Sequence, residues 1–219
     1  HRWAVQWGPL VEGDLLDTNA LRDAFSRWSF AAVMHFAALS QVGQSMAEPE
    51  RYFRNNVAGT LNLLEAMQAA KVQALVFSST AAVYGNPAST PISEDQVQQP
   101  INPYGWSKLM AERMIGEQCR AYGLSAACLR YFNAAGADPD GQTGEAHDPE
   151  THLIPNVLRA ATTPDGEVTV FGNDYPTSDG TCVRDYVHVD DLCRAHLLAL
   201  EHARRAGGFH VFNLGSGQG

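Results

Sequence analysis

Asn102-Pro103-Tyr104-Gly105-Trp106-Ser107-Lys108 is the stretch on which the reading of this chain turns. Asn102 is of a type that caps helices, and Pro103 suits a first helical turn, where its missing amide proton is not needed. A helix starting there puts Tyr104 and Lys108, four residues apart, on one face. An ammonium beside a phenol favours the phenolate and draws a tyrosine pKa from about 10 towards neutrality. Tyr104 is therefore a candidate general acid or base, with Lys108 as its electrostatic tuner. The plainer reading is the start of an ordinary amphipathic helix. The chain holds seven tyrosines but only two lysines, Lys71 and Lys108, so the spacing is an uncommon coincidence, and what surrounds it decides the matter.

Immediately upstream, residues 73–79 read as a strand ending in the hydroxyl cluster Ser78-Ser79-Thr80 and running into Ala81-Ala82-Val83-Tyr84-Gly85. Downstream, the helix continues to about Tyr122 and stops at Gly123. Residues 124–131 are a further strand, followed by Phe132-Asn133. Nearer the start, Leu10-Val11-Glu12 predicts a short strand entering Gly13-Asp14, and Thr18 a helix cap for a segment to about Trp28. Residues 31–36 predict a buried strand ending at Ala37-Ala38, where small side chains let a ligand approach the backbone. Pro49 opens a long helix to about Ala70 that turns Leu61, Leu64 and Met67 inward. Strands alternating with helices imply right-handed βαβ units and a parallel sheet, an α/β fold.

Beyond residue 134 the pattern breaks into Gly/Asp/Pro-rich stretches. They enclose a short helix near 153–161, a strand near 168–171, a helix capped by Asp190 to about Arg205 and a last strand at 209–213. The division expected is residues 1–133 against 134–219, with 182–213 returning to the sheet. The terminal Gly215-Ser216-Gly217-Gln218-Gly219 reads as a tight turn, not a phosphate loop, because no helix follows it.

Composition bounds the function. The 219 residues carry a formal charge of −9 and are 45% hydrophobic, which suits one sizeable core and argues against nucleic acid as the main partner. No run of roughly 18 apolar residues suggests a membrane span, and the first ten lack the pattern of a signal peptide. Cys119, Cys128, Cys182 and Cys193 have no paired spacing, so reduced core thiols in a cytoplasmic protein are expected, and no metal site.

A strand-end hydroxyl followed by Tyr-x-x-x-Lys resembles the short-chain dehydrogenase/reductase superfamily. More specific strings narrow it. Val33-Met34-His35-Phe36-Ala37-Ala38, the run Phe77 to Gly85, Leu129-Arg130-Tyr131-Phe132-Asn133, Phe171-Gly172-Asn173-Asp174-Tyr175-Pro176-Thr177 and the run Asp179 to Val189 resemble the UDP-glucose 4-epimerases. The resemblance covers nearly the whole chain. It implies a Rossmann-like doubly wound parallel sheet with a smaller interleaved substrate lobe, NAD as cofactor, a UDP-sugar as substrate, and a homodimer formed through two long helices. It also implies a first strand, a Gly-rich loop and a C-terminal portion that these residues do not contain. The chain is thus expected to be an internal fragment, inactive by itself.

By the same resemblance Tyr104 takes the proton of the sugar 4-hydroxyl and Thr80 bonds the reacting oxygen. Lys108 tunes Tyr104 and holds the nicotinamide ribose. Asp14, Leu15, Phe36, Ala37, Ala38, Asn55 and Phe132 match cofactor positions, and Ser40 stands where well-known members carry a Lys near the pyrophosphate. Asn133, His152, Leu153, Thr169, Val170, Phe171 and Arg184 match substrate positions. Plainer readings stand beside these: Thr80 as a backbone-bonded strand-end hydroxyl, Asp14 and Asn133 as turn residues, Arg184 as the salt-bridge partner of Asp185 or Asp190. His188 reads as a packed histidine. Ala81-Ala82 stand where sugar-nucleotide 4,6-dehydratases carry a proton-transferring acid pair. Remaining alternatives are a UDP-pentose (xylose/arabinose) 4-epimerase and a catalytically inactive nucleotide-sugar-binding remnant.

Overall fold

The structure is a computed structural model and describes residues 2–217; Gln218 and Gly219, two of the five residues of the predicted terminal turn, lie outside them. Its elements are α1 (Thr18–Arg27), β1 (Val33–His35), α2 (Val42–Ala47), α3 (Pro49–Tyr52), a π-helical segment (Phe53–Ala58), α4 (Gly59–Ala69), β2 (Ala74–Ser78), a 3₁₀ turn (Ala81–Tyr84), α5 (Pro103–Tyr122), β3 (Ser125–Tyr131), β4 (Asn133–Ala135), α6 (Leu153–Thr162), β5 (Tyr186–His188), α7 (Val189–Ala206) and β6 (Phe209–Leu214). The main sheet is parallel in the order β1-β2-β3-β6, with Val33 opposite Leu75, Ala74 opposite Ser125 and Ala126 opposite Phe209. A second parallel pair, β4 and β5, sets Asn133 against Tyr186.

Strand alternation builds two cores. Leu75 and Phe77 of β2, with Ala126 and Cys128 of β3, face Leu63, Leu64 and Met67 of α4, Ile115 of α5, and Leu21 and Phe25 of α1. Val76, Ala127 and Leu129 point the other way, onto Ala199 and Ala203 of α7. The sheet is therefore covered on both faces, as its uninterrupted apolar strands require. Each large side chain buried this way contributes about 1.5–3 kcal/mol.

Several local expectations are corrected. Leu10-Val11-Glu12 forms no strand and is exposed; no ladder partner lies beside it among the described residues, and an extended segment is a strand only where it pairs. Residues 168–171 form no strand for the same reason, and Phe171 is 98% exposed. The strand foreseen at 31–36 narrows to β1, which is only part-buried, and Phe36 is exposed. Asp17, not Thr18, caps α1, its carboxylate accepting from the amides of Asn19 and Ala20. His188, not Asp190, caps α7; its Nδ1 accepts from the Asp190 amide, and its ring lies against Gly136 while remaining partly exposed. Leu61 is 39% exposed, whereas Leu63, Leu64 and Met67 are inward. The π segment explains this: its wider turns shift the helical phase, so the apolar face after it is displaced from a single 3.6-residue period. Of the cysteines, Cys119 and Cys128 are buried, but Cys182 and Cys193 are exposed and not core thiols.

Candidate active site

The carboxyl ends of β1, β2 and β3 lie together at one edge of the sheet, where ligands enter open α/β folds. There Thr80 is extended (φ −156, ψ 148) and caps the 3₁₀ turn, its Oγ1 accepting from the Ala82 amide at 3.1 Å. The start of α5 packs directly onto that turn. Asn102 Oδ1 accepts from the Gly105 amide at 2.8 Å and so begins the helix as its sequence foretold. Gly105 lets it come close: a Cβ there would lie 2.7 Å from the Ala82 carbonyl oxygen and 3.0 Å from Pro100. The result sets the Tyr104 phenol near enough to Thr80 for that hydroxyl to favour its ionised form. Thr80 is thus backbone-bonded and at the same time a neighbour of the candidate acid/base.

The electrostatics differ from the sequence expectation. Burial raises the Tyr104 phenol to about 12; the Thr80 hydroxyl opposes this, while Tyr131 and Tyr52 add to it. Lys108 is not among the groups that move it. Although it shares the helix face, Lys108 runs inward, is 3% exposed, donates to the Ser78 carbonyl oxygen at 2.8 Å and stands 4.9 Å over the Phe77 ring. Burial lowers its ammonium to about 8, against the raising effect of Cys128 and Glu112. The four-residue spacing predicts a shared face but not where two flexible side chains end.

Around this pair is a support that the sequence reading missed. Asn56, buried in the π segment, accepts from the Leu39 amide (2.9 Å) and donates to the Leu39 carbonyl (3.0 Å) and to Ser107 Oγ (2.9 Å). It ties the loop after β1, with Ala37 and Ala38, to α5. Its neighbour Asn55, the residue singled out from sequence, donates to Asn56 Oδ1 at 2.9 Å. Glu112, one turn beyond Lys108, pairs with Arg130 through two bonds of 2.9 and 2.6 Å and accepts from Ser79, while Arg130 donates to the Tyr84 hydroxyl at 2.7 Å. Ser78 and Tyr131 share a hydroxyl–hydroxyl bond. A glycine in a helix's first turn and two polar residues at inward helix positions were the available signals.

The remaining candidates lie apart from the Thr80–Tyr104 pair or are otherwise engaged. Asp14 is exposed and accepts from the Leu16 amide at 2.8 Å, a turn role. Leu15 packs on the core and against Gly59. Phe36 is exposed, its ring 4.7 Å from that of His196, and Ser40 is exposed. The side chain of Asn133 donates to the Asp185 carbonyl at 3.0 Å, joining the segments that lead into β4 and β5. Phe132 lies beside Gly215. Arg184 donates to the Val183 carbonyl, and among the described residues it pairs with neither Asp185 nor Asp190. Asp185 instead accepts from Ser216 and Gly217; burial raises its carboxyl, but these bonds prevail and lower it. Leu153, Thr169, Val170 and Phe171 are exposed, and His152 faces Glu150.

Comparison with known proteins agrees with this geometry. The pattern of the NAD dependent epimerase/dehydratase family matches residues 2–215. The chain is 50% identical over 219 residues to a UDP-glucose 4-epimerase of Halalkalibacterium halodurans, covering 100% of this chain and 66% of that protein. It is 49% identical to one of Rhizobium leguminosarum bv. trifolii, covering 67% of it. The crystal structure of UDP-glucose 4-epimerase from Brucella ovis in complex with NAD superposes with a TM-score of 0.95 at 52% identity, over 100% of this chain and 67% of that one. The enzyme from Bifidobacterium longum in complex with NAD+ and UDP gives 0.91 at 38% identity, over 98% and 65%. The chain thus spans about two thirds of the length of the relatives it matches. With the parallel sheet, the hydroxyl-bearing strand end and the Tyr-x-x-x-Lys helix in place, these matches establish that the chain belongs to the NAD dependent epimerase/dehydratase family.

Proposed function

We propose that this protein interconverts UDP-glucose and UDP-galactose by oxidation and re-reduction at C4 of the sugar. One observation carries the reading: the start of α5 seats Tyr104 beside Thr80 at the carboxyl edge of a parallel sheet, and Thr80 is followed by Ala81-Ala82, which have no proton to transfer. The half-identical relatives, named UDP-glucose 4-epimerases, support it.

NAD, when bound, supplies the hydride acceptor and then returns the same hydride. The residues present fit its nicotinamide end. Small residues follow β1, and the Lys108 ammonium has three N–H donors, of which Ser78 takes one. Tyr104 accepts the proton of the 4-hydroxyl and gives it back to the 4-keto oxygen from the other face of the sugar. Thr80 shares that oxygen and keeps the phenol aimed at it. Lys108 is the cation that favours the phenolate once its ammonium turns from the Ser78 carbonyl. Phe36, Ala37, Ala38 and Asn55 border the cofactor, and Asn133 and Arg184 the diphosphate. Residues 1–133 form the cofactor half and 134–219 the substrate half of a cytoplasmic enzyme. No helix among the described residues is long and apolar enough to cross a membrane.

The groove between the π segment and α5 is apolar and partly exposed at Leu61, Trp106 and Met110. A second copy of the chain is its proposed occupant, giving a helical dimer interface; sedimentation of the full-length protein as a monomer would exclude it.

The function is tested by supplying UDP-galactose to the full-length protein. Formation of UDP-glucose with no change in mass is expected. A product lighter by one water, or turnover of UDP-pentoses alone, overturns the reading.

A further inference from the structure

Four side chains, of which the epimerase resemblance gives a role to His152 alone, converge ahead of α6. Glu145, His147, Glu150 and His152 each offer one ligand atom, and all four atoms lie within 4.8 Å of one another. His152 Nδ1 is 2.7 Å from Glu150 Oε1 and 2.8 Å from Glu145 Oε1. His147 Nδ1 is 3.1 Å from Glu145 Oε1 and 3.8 Å from Glu150 Oε2. We propose that Glu145, His147, Glu150 and His152 form a binding site for a divalent transition-metal cation of the zinc class.

The geometry suits it. Zinc binds imidazole nitrogen and carboxylate oxygen at about 2.0–2.2 Å, and a tetrahedron of that radius has edges of about 3.3–3.6 Å. The contacts of 2.7–3.8 Å lie on both sides of those edges and the widest separation is within 4.8 Å, so side-chain movement of about an ångström admits the ion. The charges suit it as well. The Glu150 side chain is only 4% exposed, and a carboxylate taken out of water needs a counter-charge. Among the described residues no lysine or arginine pairs with Glu145 or Glu150; their partners are the two imidazoles, with rings 4.7 Å apart. A divalent cation balances both carboxylates at once. Imidazole with carboxylate favours zinc over magnesium or calcium, which take oxygen ligands alone.

The site has a structural consequence. Glu150 already bonds the His152 amide at 2.8 Å, and α6 starts at the next residue. A bound ion would staple the irregular segment 145–152 to the head of α6. His152 then serves as a metal ligand, not a sugar contact, at a position that the family resemblance gives to substrate.

The proposal is tested without turnover, so it stands or falls apart from the epimerase reading. Full-length protein stripped with a chelator is titrated with zinc by calorimetry and with cobalt by visible absorption. One equivalent per chain and a cobalt band of tetrahedral intensity are expected. His147→Ala and, separately, Glu145→Gln should each weaken zinc binding at least tenfold while the far-ultraviolet circular dichroism stays unchanged. The His147 side chain is 54% exposed, and Glu145 belongs to the irregular segment ahead of α6, outside every helix and strand, so either variant serves if the other misfolds. No saturable zinc uptake, or uptake unaltered in both variants, overturns it.

Discussion

Gly105 stands so close to Ala82 that a Cβ on the glycine would lie 2.7 Å from the Ala82 carbonyl oxygen. This contact seats the first turn of α5 on the turn that follows Thr80. Alanine normally improves a helix by about 1 kcal/mol over glycine, but here overlap with backbone outweighs that gain. Gly105→Ala is expected to lose about 1–3 kcal/mol of stability, the usual range for overpacking, and to lose activity by tenfold or more as Tyr104 moves from Thr80. Urea unfolding and initial rates check both; a variant as stable and active as the parent refutes the contact's role.

Tyr104→Phe in the full-length protein should lower turnover by about 10²–10⁴-fold, the worth of general acid–base catalysis, while NAD remains bound by its absorbance after purification. Lys108→Ala should move the activity profile to higher pH, because the variant loses the ammonium that, in the proposed mechanism, turns from the Ser78 carbonyl to favour the phenolate. An unshifted profile counts against the pairing.

Lys108 also marks the alkaline stability curve. Its folded pKa, about 8, lies below the ordinary 10.5, so the folded state holds fewer protons between these values and stability rises with pH there. Cys119, raised by burial to about 11, and Cys128, raised well above 9 by burial and Glu112, act in the opposite sense from pH 9 upward, and Tyr104 from pH 10. Stability should climb from pH 8 to 9 and then fall. Lys108→Met should abolish the climb in urea midpoints measured across that range.

At the acid end His35 governs. Thr60 donates its hydroxyl proton to the Asn56 carbonyl at 2.6 Å, so it accepts from His35 Nε2 at 2.9 Å, and that nitrogen carries a proton. Burial, aided by Lys108, lowers His35 to about 4. The stability it confers is present above pH 6.5 and is lost as pH falls through 4, on the order of 3 kcal/mol in all. His196, lowered by burial, acts in the same sense. His35→Gln should flatten the acid limb of the curve; an equally steep limb would point elsewhere.

Glu112→Gln leaves the Arg130 guanidinium buried without its carboxylate and should destabilise by about 3–5 kcal/mol. Glu112→Leu combined with Arg130→Met should recover most of that. A double variant no better than the single would show that Ser79 and Tyr84, not the charge pair, hold these elements together.

Much of this molecule follows from local chemistry. The cap at Asn102, the proline after it and the glycine at 123 bound α5 without reference to anything distant. The apolar runs at β2 and β3 are strands because both sheet faces are covered, and Thr80 meets Tyr104 because a strand end and the next helix start are neighbours in a βαβ unit. What failed was nonlocal. Segments 10–12 and 168–171 have strand-like residues, but a strand exists only with a partner. The π segment turned Leu61 outward, a phase shift that no fixed period detects. Spacing put Lys108 on the face of Tyr104, yet burial and the Ser78 carbonyl, thirty residues away in sequence, decided that the ammonium turns inward and the phenol keeps its proton. The convergence of Glu145, His147, Glu150 and His152 likewise needed the chain's path through an irregular segment, which no periodicity encodes. Protonation and coordination depend on desolvation and distance, and these are properties of the folded chain alone.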